Sequence, residues 1–239
     1  MRYLLAMNMV RWCCVSWMWL GLAVALSFPN LGWSQDRVDV ISAERYALVV
    51  KKAPALQEGM DTYSVCLRLP DTDRVSSVFG TDVHPFELHA PQGAFNSPFN
   101  TGWSASGINP NFFKLMPEIQ DDSYATIGLR TSARISGISG AEDPTMVEDP
   151  GASWSDFFEE DGAQHLRVNT HTGGAYFVLR TAANGAPVNG EVLLMQVTTS
   201  GGFSGAMNVQ IFPKSEGYDQ VRWRTTFEGA GVFSGTFID

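Results

Sequence analysis

Residues 62–69 read TYSVCLRL, and this stretch decides the fold class. Its large apolar side chains fall on every second position, at Tyr63, Val65, Leu67 and Leu69, with polar or small residues between them. Successive side chains of a β-strand point to opposite faces, so this alternation predicts a half-buried strand. Pro70 and the Asp-Thr-Asp sequence that follows it predict a turn at the end of this strand.

The same pattern recurs along the chain in short segments that are separated by turn residues. We expect further strands over 75–79, 86–89, 124–130, 175–181, 221–227 and 232–238. Residues 191–212 predict a hairpin, because apolar residues alternate on both sides of a glycine-rich turn at 200–202. Roughly ten short strands at regular turn spacing predict an all-β fold, a single antiparallel β-sandwich of jelly-roll-like form.

One stretch favours a helix, over residues 154–160. Ser153 and Asp156 have the spacing of a capping box, in which two side chains bond to backbone amides at a helix start. Trp154, Phe157 and Phe158 recur at helical spacing and predict one buried face.

Two longer segments interrupt the strand pattern. Residues 91–118 carry almost no charge and are rich in phenylalanine and asparagine, whereas residues 141–161 are strongly acidic and contain no basic residue. Loops of this length are uncommon inside a compact domain and are often functional. Both segments are therefore candidates for a site.

The composition of residues 91–118 favours recognition of an extracellular glycan. Sugar rings stack on aromatic side chains, and sugar hydroxyls pair with amide groups. The candidate ligand-binding residues are Trp103, Asn100, Asn96 and Asn109. The alternative is that the aromatic residues of this loop fold back onto the sheet and cover one end of the sandwich.

No pattern in the chain specifies a metal or another cofactor. Calcium needs several oxygen ligands that converge, and the acidic residues of 141–161 lack the spacing of an EF-hand loop. Solvated acidic surface is the first interpretation of this segment, and a calcium site is the alternative. The four histidines (His84, His89, His165 and His171) lack the spacings that are typical of metal ligands.

The sequence also specifies no catalytic residue. The nearest match to a serine nucleophile motif is Gly102-Trp103-Ser104-Ala105-Ser106, which lacks the closing glycine of a nucleophile elbow. Whether the chain is an enzyme stays open at this point, and a non-catalytic role is the first interpretation. A hydrolase on a β-sandwich scaffold is the alternative.

Charge and cysteine content exclude several classes of protein. The chain has 16 basic and 25 acidic residues, a formal net charge of -9, which argues against nucleic acid as a partner. A hydrophobic fraction of 44% is enough for a sizeable core. Cys66 is the single cysteine after residue 34, so residues 35–239 have no internal disulfide and no cysteine-based metal site.

The first 34 residues predict a signal peptide. Arg2 and Arg11 give a positive start, residues 12–28 are almost wholly apolar, and Gly32-Trp33-Ser34 suits cleavage after Ser34. We therefore expect a signal peptide over 1–34, a β-sandwich domain over 35–239 and a secreted, periplasmic or cell-surface location. An uncleaved signal anchor is the alternative, and only in that case would the chain stay on a membrane.

Two segments carry a resemblance to a known class of domains. Residues 116–128 read MPEIQDDSYATIG, with an Asp-Ser-aromatic-x-Thr-Ile-Gly sequence, and residues 192–210 form a second part of the pattern. This pattern resembles secreted β-rich domains of unknown function in bacteria and algae, and the resemblance implies no activity and no catalytic residue. In physical terms, Asp122 or Ser123 can close a turn by accepting backbone amides, and Gly128 permits a bulge or close packing.

Together these patterns indicate an exported, non-catalytic binding or surface-interaction module. The first partner that the sequence predicts is an extracellular glycan, bound through residues 91–118. The alternative is a structural or assembly module, which contacts another exported protein through its loops and edge strands.

Overall fold

The computed structural model describes residues 41–215 and 219–239. The predicted signal peptide at 1–34 lies outside the described residues. Within them the strands are β1 (Ala47–Pro54), β2 (Asp61–Arg68), β3 (Arg74–Gly80), β4 (Phe86–Ala94), β5 (Tyr124–Ala125), β6 (Thr145–Val147), β7 (Ala163–Val168), β8 (Gly174–Phe177), β9 (Glu191–Thr199), β10 (Ser204–Phe212), β11 (Val221–Glu228), β12 (Gly231–Ser234) and β13 (Thr236–Ile238). The α-helix α1 spans Ser155–Glu159, and short 3-10 helices span Ala43–Arg45, Ala105–Gly107, Pro110–Phe112, Pro117–Asp121, Ala133–Ile135, Ala183–Gly185 and Pro213–Ser215.

The strands form two antiparallel sheets that pack face to face. The first sheet has the order β12-β1-β2-β9-β5. The second has the order β13-β11-β10-β3-β8-β6, and β4 joins it by pairing with both β10 and β7. The predicted all-β sandwich is therefore confirmed.

Strand β10 divides the second sheet into two branches. Its first residues, 204–206, pair with β4, and its later residues, 208–212, pair with β3. The register shifts between Gln210 and Ile211, which marks a bulge in the β3 pairing. Strands β8 and β6 continue one branch, and β7 continues the other.

One apolar core fills the space between the sheets. The first sheet contributes, among others, Leu48, Val50, Tyr63, Val65, Leu67 and Val197. The second sheet contributes, among others, Val78, Phe86, Leu88, Met207, Val209 and Trp223. The alternation in TYSVCLRL is thus confirmed, because the three predicted inward residues of β2 all lie in this core.

The outer face of the first sheet is also covered, by a second and smaller apolar cluster. Its members are Val49, Cys66, Ala105, Ile108, Ile119, Tyr124 and Leu193, with Phe113 and Met116 packed against it. Strands β1, β2 and β9 therefore carry apolar residues on both faces. This explains why alternation did not predict β1, whose ALVV sequence is apolar without interruption.

The predicted hairpin over 191–212 is wrong. Both of its strands exist, but β9 lies in the first sheet and β10 in the second, so the turn between them crosses the edge of the sandwich. Phe203 fills this crossing, with ring centroids 5.5 Å from Tyr63 and 5.2 Å from Phe227. Alternation indicates which face of a strand is buried, and it does not indicate the neighbouring strand.

Several predicted strand boundaries also need correction. The expected final strand over 232–238 is two strands, because β12 pairs with β1 in the first sheet and β13 pairs with β11 in the second. Regular structure in 124–130 is limited to β5, that in 175–181 to the short β8, and β4 continues beyond the expected 86–89 to Ala94. The sequence did not predict β6 and β7. The predicted helix over 154–160 is confirmed as α1.

Candidate functional site

Residues 95–123, which we call the covering loop, lie over the outer face of the first sheet. Ala105, Ile108 and Ile119 pack into the second apolar cluster. Trp103 is partly buried against the main core, with its ring centroid 6.2 Å from that of Tyr176. The loop thus covers the outer face of the sheet mainly with aliphatic residues, whereas the alternative interpretation of 91–118 expected its aromatic residues to cover one end of the sandwich. Of these aromatic residues, Phe99 and Phe112 are exposed.

A buried carboxylate, that of Asp122, holds the start of the covering loop. Asp122 accepts hydrogen bonds from the backbone amide of Ser97 and from Nδ2 of Asn100, each at 2.6 Å. Burial raises the pKa of Asp122 to about 7, and hydrogen bonds from Asn100, Ser97 and Ser123 oppose this rise. The Oδ1 atom of Asn100 accepts the amide of Gly102 at 3.3 Å, so one network fixes residues 97–102.

Two further side chains join the covering loop to the first sheet. Ser123 donates its hydroxyl to the Phe95 carbonyl at 2.7 Å and accepts the amide of Thr198 in β9 at 3.1 Å. Gln196 in β9 donates Nε2 to the carbonyls of Gln120 and Asp122, each at 2.9 Å. The end of the loop is therefore bonded to the strand beneath it.

The Asp-Ser-aromatic-x-Thr-Ile-Gly segment contributes hydrogen bonds and close packing to the fold. Asp122 and Ser123 accept the backbone amides of Ser97 and Thr198, which are distant in the sequence, so these bonds join separate segments instead of closing the expected local turn. Gly128 has φ +71°, and a Cβ atom there would lie 2.0 Å from the carbonyl oxygen of Asn184. Close packing at Gly128 thus matches the expectation.

The four predicted ligand-binding residues lie in two different environments. Asn96 and Asn100 are buried, and Asn96 donates Nδ2 to the carbonyls of Phe157 and Glu160 at 2.9 and 2.8 Å. Trp103 and Asn109 are partly exposed, and Asn109 accepts the amide of Asn111 at 3.0 Å. The first pair is engaged inside the protein, whereas the second pair reaches the surface. Ligand binding by these four residues stays a prediction.

The outer side of the covering loop exposes large apolar side chains. Phe99 and Phe112 are each 47% exposed, and Leu115 is 77% exposed. A shallow depression of about 440 Å³ is lined by Leu56, Gln57, Phe95, Pro98, Pro117 and Glu118, and Pro98 and Pro117 are close in sequence to Phe99 and Leu115. We call this outer side, together with the depression, the apolar surface of the loop.

Several acidic residues of 141–161 accept hydrogen bonds from backbone amides. Glu148 accepts the amides of Trp154 and Ser155 at 2.7 and 3.1 Å, at the start of α1. Burial raises its pKa, but hydrogen bonds from Ser155, Trp154 and Ser153 outweigh this, and the net shift is downward. Asp143 and Asp161 accept the amides of Ala133 and Asn96 in the same way. In the described part of the chain, no three His, Cys, Asp or Glu side chains form a group that could hold a metal.

Pairing between strands also creates a histidine pair that sequence spacing did not indicate. His89 in β4 and His165 in β7 lie opposite each other, with their Nδ1 atoms 3.1 Å apart. They are 76 residues apart in the chain, so only the strand register could have indicated this contact. The serine of the Gly-Trp-Ser-Ala-Ser sequence, Ser104, is buried and bonds to the hydroxyl of Ser106 at 2.7 Å.

Among residues 41–215 and 219–239, none of the helices has the length and apolar character to cross a membrane. Comparison of the chain with protein-family models, curated proteins and solved structures gave no match.

Proposed function

We propose that this chain is an exported, non-catalytic binding module that engages its partner through the apolar surface of the covering loop. One observation carries the proposal: the loop buries polar residues such as Asn100 and Asp122 and exposes Phe99, Phe112 and Leu115. A loop that served only to cover a sheet would turn its largest apolar side chains inward, because their burial stabilises the fold. An exposed apolar patch that is contiguous is typical of an interaction site.

The hydrogen-bond network beneath the loop supports this reading. Hydrogen bonds of Asp122, Asn100, Ser123 and Gln196 fix the two ends of the loop before any partner arrives. A surface that is already ordered loses less conformational entropy on binding, so more of the contact free energy remains as affinity. The buried polar residues thus reduce the conformational entropy that the loop would lose when a partner binds.

The chemistry of this surface favours an exported protein as the partner. Leucine, phenylalanine and proline supply the exposed apolar side chains of the loop and four of the six residues that line its depression. Apolar and aromatic side chains are typical of the buried centre of protein interfaces. Two of the asparagines that a glycan would need are already bonded inside the protein.

An extracellular glycan is the second candidate, and the positions of Trp103 and Asn109 favour it. Both side chains are partly exposed, as are the rings of Phe99 and Phe112. Together they offer aromatic faces for stacking and an amide for hydroxyl groups. For this candidate, Trp103 and Asn109 would bind the glycan, whereas Asn96 and Asn100 would not.

The test compares two matched leucine variants. Leu115→Ser removes an exposed leucine from the apolar surface, and Leu179→Ser removes one, 60% exposed, from outside it. Residues 35–239 and each variant are immobilised and exposed to proteins released by the source cells and to a polysaccharide array. The bound proteins are quantified by mass spectrometry.

We expect specific proteins to be lost from Leu115→Ser and retained by Leu179→Ser. Glycan binding that disappears in Trp103→Ala and persists in Leu179→Ser would instead support the second candidate. Equal binding by wild type, Leu115→Ser and Trp103→Ala in both assays would contradict the use of this loop as a binding site.

A further inference from the structure

A cavity of about 390 Å³ lies on the outer face of the first sheet. It shares no lining residue with the apolar surface of the loop. The buried side chains of Cys66 and Leu193, which point outward from β2 and β9, line it. Ile138 and Val188 add apolar lining from two turns. This volume lies in the range of pockets that hold small ligands.

The cavity is lined by more cationic than anionic side chains. Lys51, Arg130 and Glu191 line it, which gives two cations and one carboxylate. Glu191 is already bonded to Lys51 at 2.5 Å and to Arg68 at 3.2 Å. Its negative charge is therefore compensated by two cations.

Arg130 has no such compensation. It donates to the neutral amide oxygen of Gln196 at 3.3 Å, and its other close neighbour is the phenol of Tyr124. Among the described residues, no carboxylate lies within ion-pair distance of Arg130. The guanidinium of Arg130 thus lines the cavity without a carboxylate partner.

We propose that this cavity binds a small organic anion, which has a carboxylate or sulfonate group on an apolar body. The anionic group pairs with Arg130 and with the ammonium of Lys51, since a guanidinium presents paired donors that match such oxygens. The apolar body lies on Leu193, Ile138 and Val188. Neither the covering loop's outer side nor a protein partner is needed for this site.

The thiol of Cys66 is compatible with this assignment. Burial raises the pKa of Cys66, and Glu191 raises it further, so the thiol stays protonated at neutral pH. The sulfur side of the cavity is therefore neutral and does not repel an anion. Its thiol acts as a small apolar group.

The experiment uses two dyes of nearly the same shape, anilinonaphthalene sulfonate and phenylnaphthylamine, which lacks the sulfonate. Both dyes fluoresce on entering an apolar site, so their affinities for residues 35–239 are measured by titration. We expect the sulfonate dye to bind about ten-fold more tightly or better, because a hydrogen bond to a charged group contributes about 1.5 kcal/mol or more. Added salt should weaken the binding of the sulfonate dye and leave the affinity of the uncharged dye unchanged.

Arg130→Gln and Arg134→Gln form the matched pair of variants. Each removes one exposed arginine, but Arg134 does not line the cavity. We expect Arg130→Gln to abolish the preference for the sulfonate dye and Arg134→Gln to keep it. Arg130→Lys, which keeps the charge, should retain part of the preference, and melting temperatures of all three variants report on folding.

Two results would overturn the proposal: equal affinity of the wild type for both dyes, or the same loss in Arg134→Gln as in Arg130→Gln. Leu115→Ser separates this site from the proposed function. If the sulfonate preference depends on Leu115, the dye binds at the apolar surface of the loop and the cavity assignment is wrong. If the preference survives in Leu115→Ser, the cavity stands whether or not the loop binds a partner.

Discussion

Asp122 is a carboxylate whose burial makes the stability of the fold depend on pH. Its pKa rises to about 7 in the folded protein, mainly through burial, from an unfolded value of 3.8. The folded state thus holds its proton more tightly than the unfolded state. The stabilising contribution of this proton is complete below the unfolded pKa and is lost as the pH rises through about 7.

We therefore expect the free energy of unfolding of the wild type to fall as the pH rises from about 5 to about 8. Asp122→Asn should reduce this slope, and it should also destabilise the protein by about 1–3 kcal/mol near pH 5, because an amide cannot accept all the bonds that reach this site. Urea unfolding at several pH values measures both effects. Asp71→Asn, at an exposed position, is the control, and an equal change of slope in that variant would contradict the assignment.

Gly128 and Gly59 form a matched pair of residues for a second prediction. Both have positive φ, +71° and +76°, but a Cβ atom at Gly128 would meet the Asn184 carbonyl, while one at Gly59 would meet nothing within 4 Å. Gly59→Ala should cost about 1 kcal/mol, the penalty for a left-handed conformation. Gly128→Ala should cost about 2–4 kcal/mol, since overpacking adds to that penalty. Equal losses in urea unfolding would show that the contact with Asn184 is unimportant.

At the scale of elements, the crossing from β9 to β10 depends on Phe203. This side chain is buried between the sheets and contacts the rings of Tyr63 and Phe227. Phe203→Ala should lower the free energy of unfolding by about 3–5 kcal/mol, as is typical of a large side chain removed from a core. Phe99→Ala, at a half-exposed position, should cost less than about 1 kcal/mol. Similar losses in the two variants would contradict the role of Phe203.

The elements also show which parts of the fold a sequence can predict. The inward face of β2 could be predicted from TYSVCLRL, because alternation reports burial directly. The partner of β9 could not be, because alternation does not identify the neighbouring strand, and β9 and β10 in fact lie in different sheets. Strand β1 was missed because the covering loop buries its second face and removes the alternation.

The candidate site was predictable to a similar degree. Residue types predicted a candidate binding loop at 91–118, and the structure shows that this segment exposes Phe99 and Phe112. The direction of each asparagine was not predictable, because Asn96 and Asn100 turn toward groups that are 22 to 64 residues away in the chain. The cavity beside Arg130 was missed for the same reason, since its lining comes from four separate segments.

At the scale of the whole molecule, three acidic residues of 141–161 take part in the hydrogen bonds that connect separate segments of the scaffold. Glu148, Asp143 and Asp161 each accept backbone amides, which satisfies carboxylate oxygens that calcium would otherwise use. We expect a chelator such as EDTA to leave the melting temperature of residues 35–239 unchanged. A ligand that binds only the folded state stabilises it, so a fall of several degrees would restore the calcium alternative.

The division of the second sheet at β10 has a consequence for internal motion. One branch (β3, β8 and β6) and the other (β4 and β7) are each anchored on a different part of the same strand. Their amide protons can therefore exchange with solvent deuterium at independent rates, as in proteins whose cooperative units open separately. We therefore expect fraying of β7 to leave the amide protons of β8 protected, even though residues 169–173 connect the two strands, and exchange rates resolved by strand measure this.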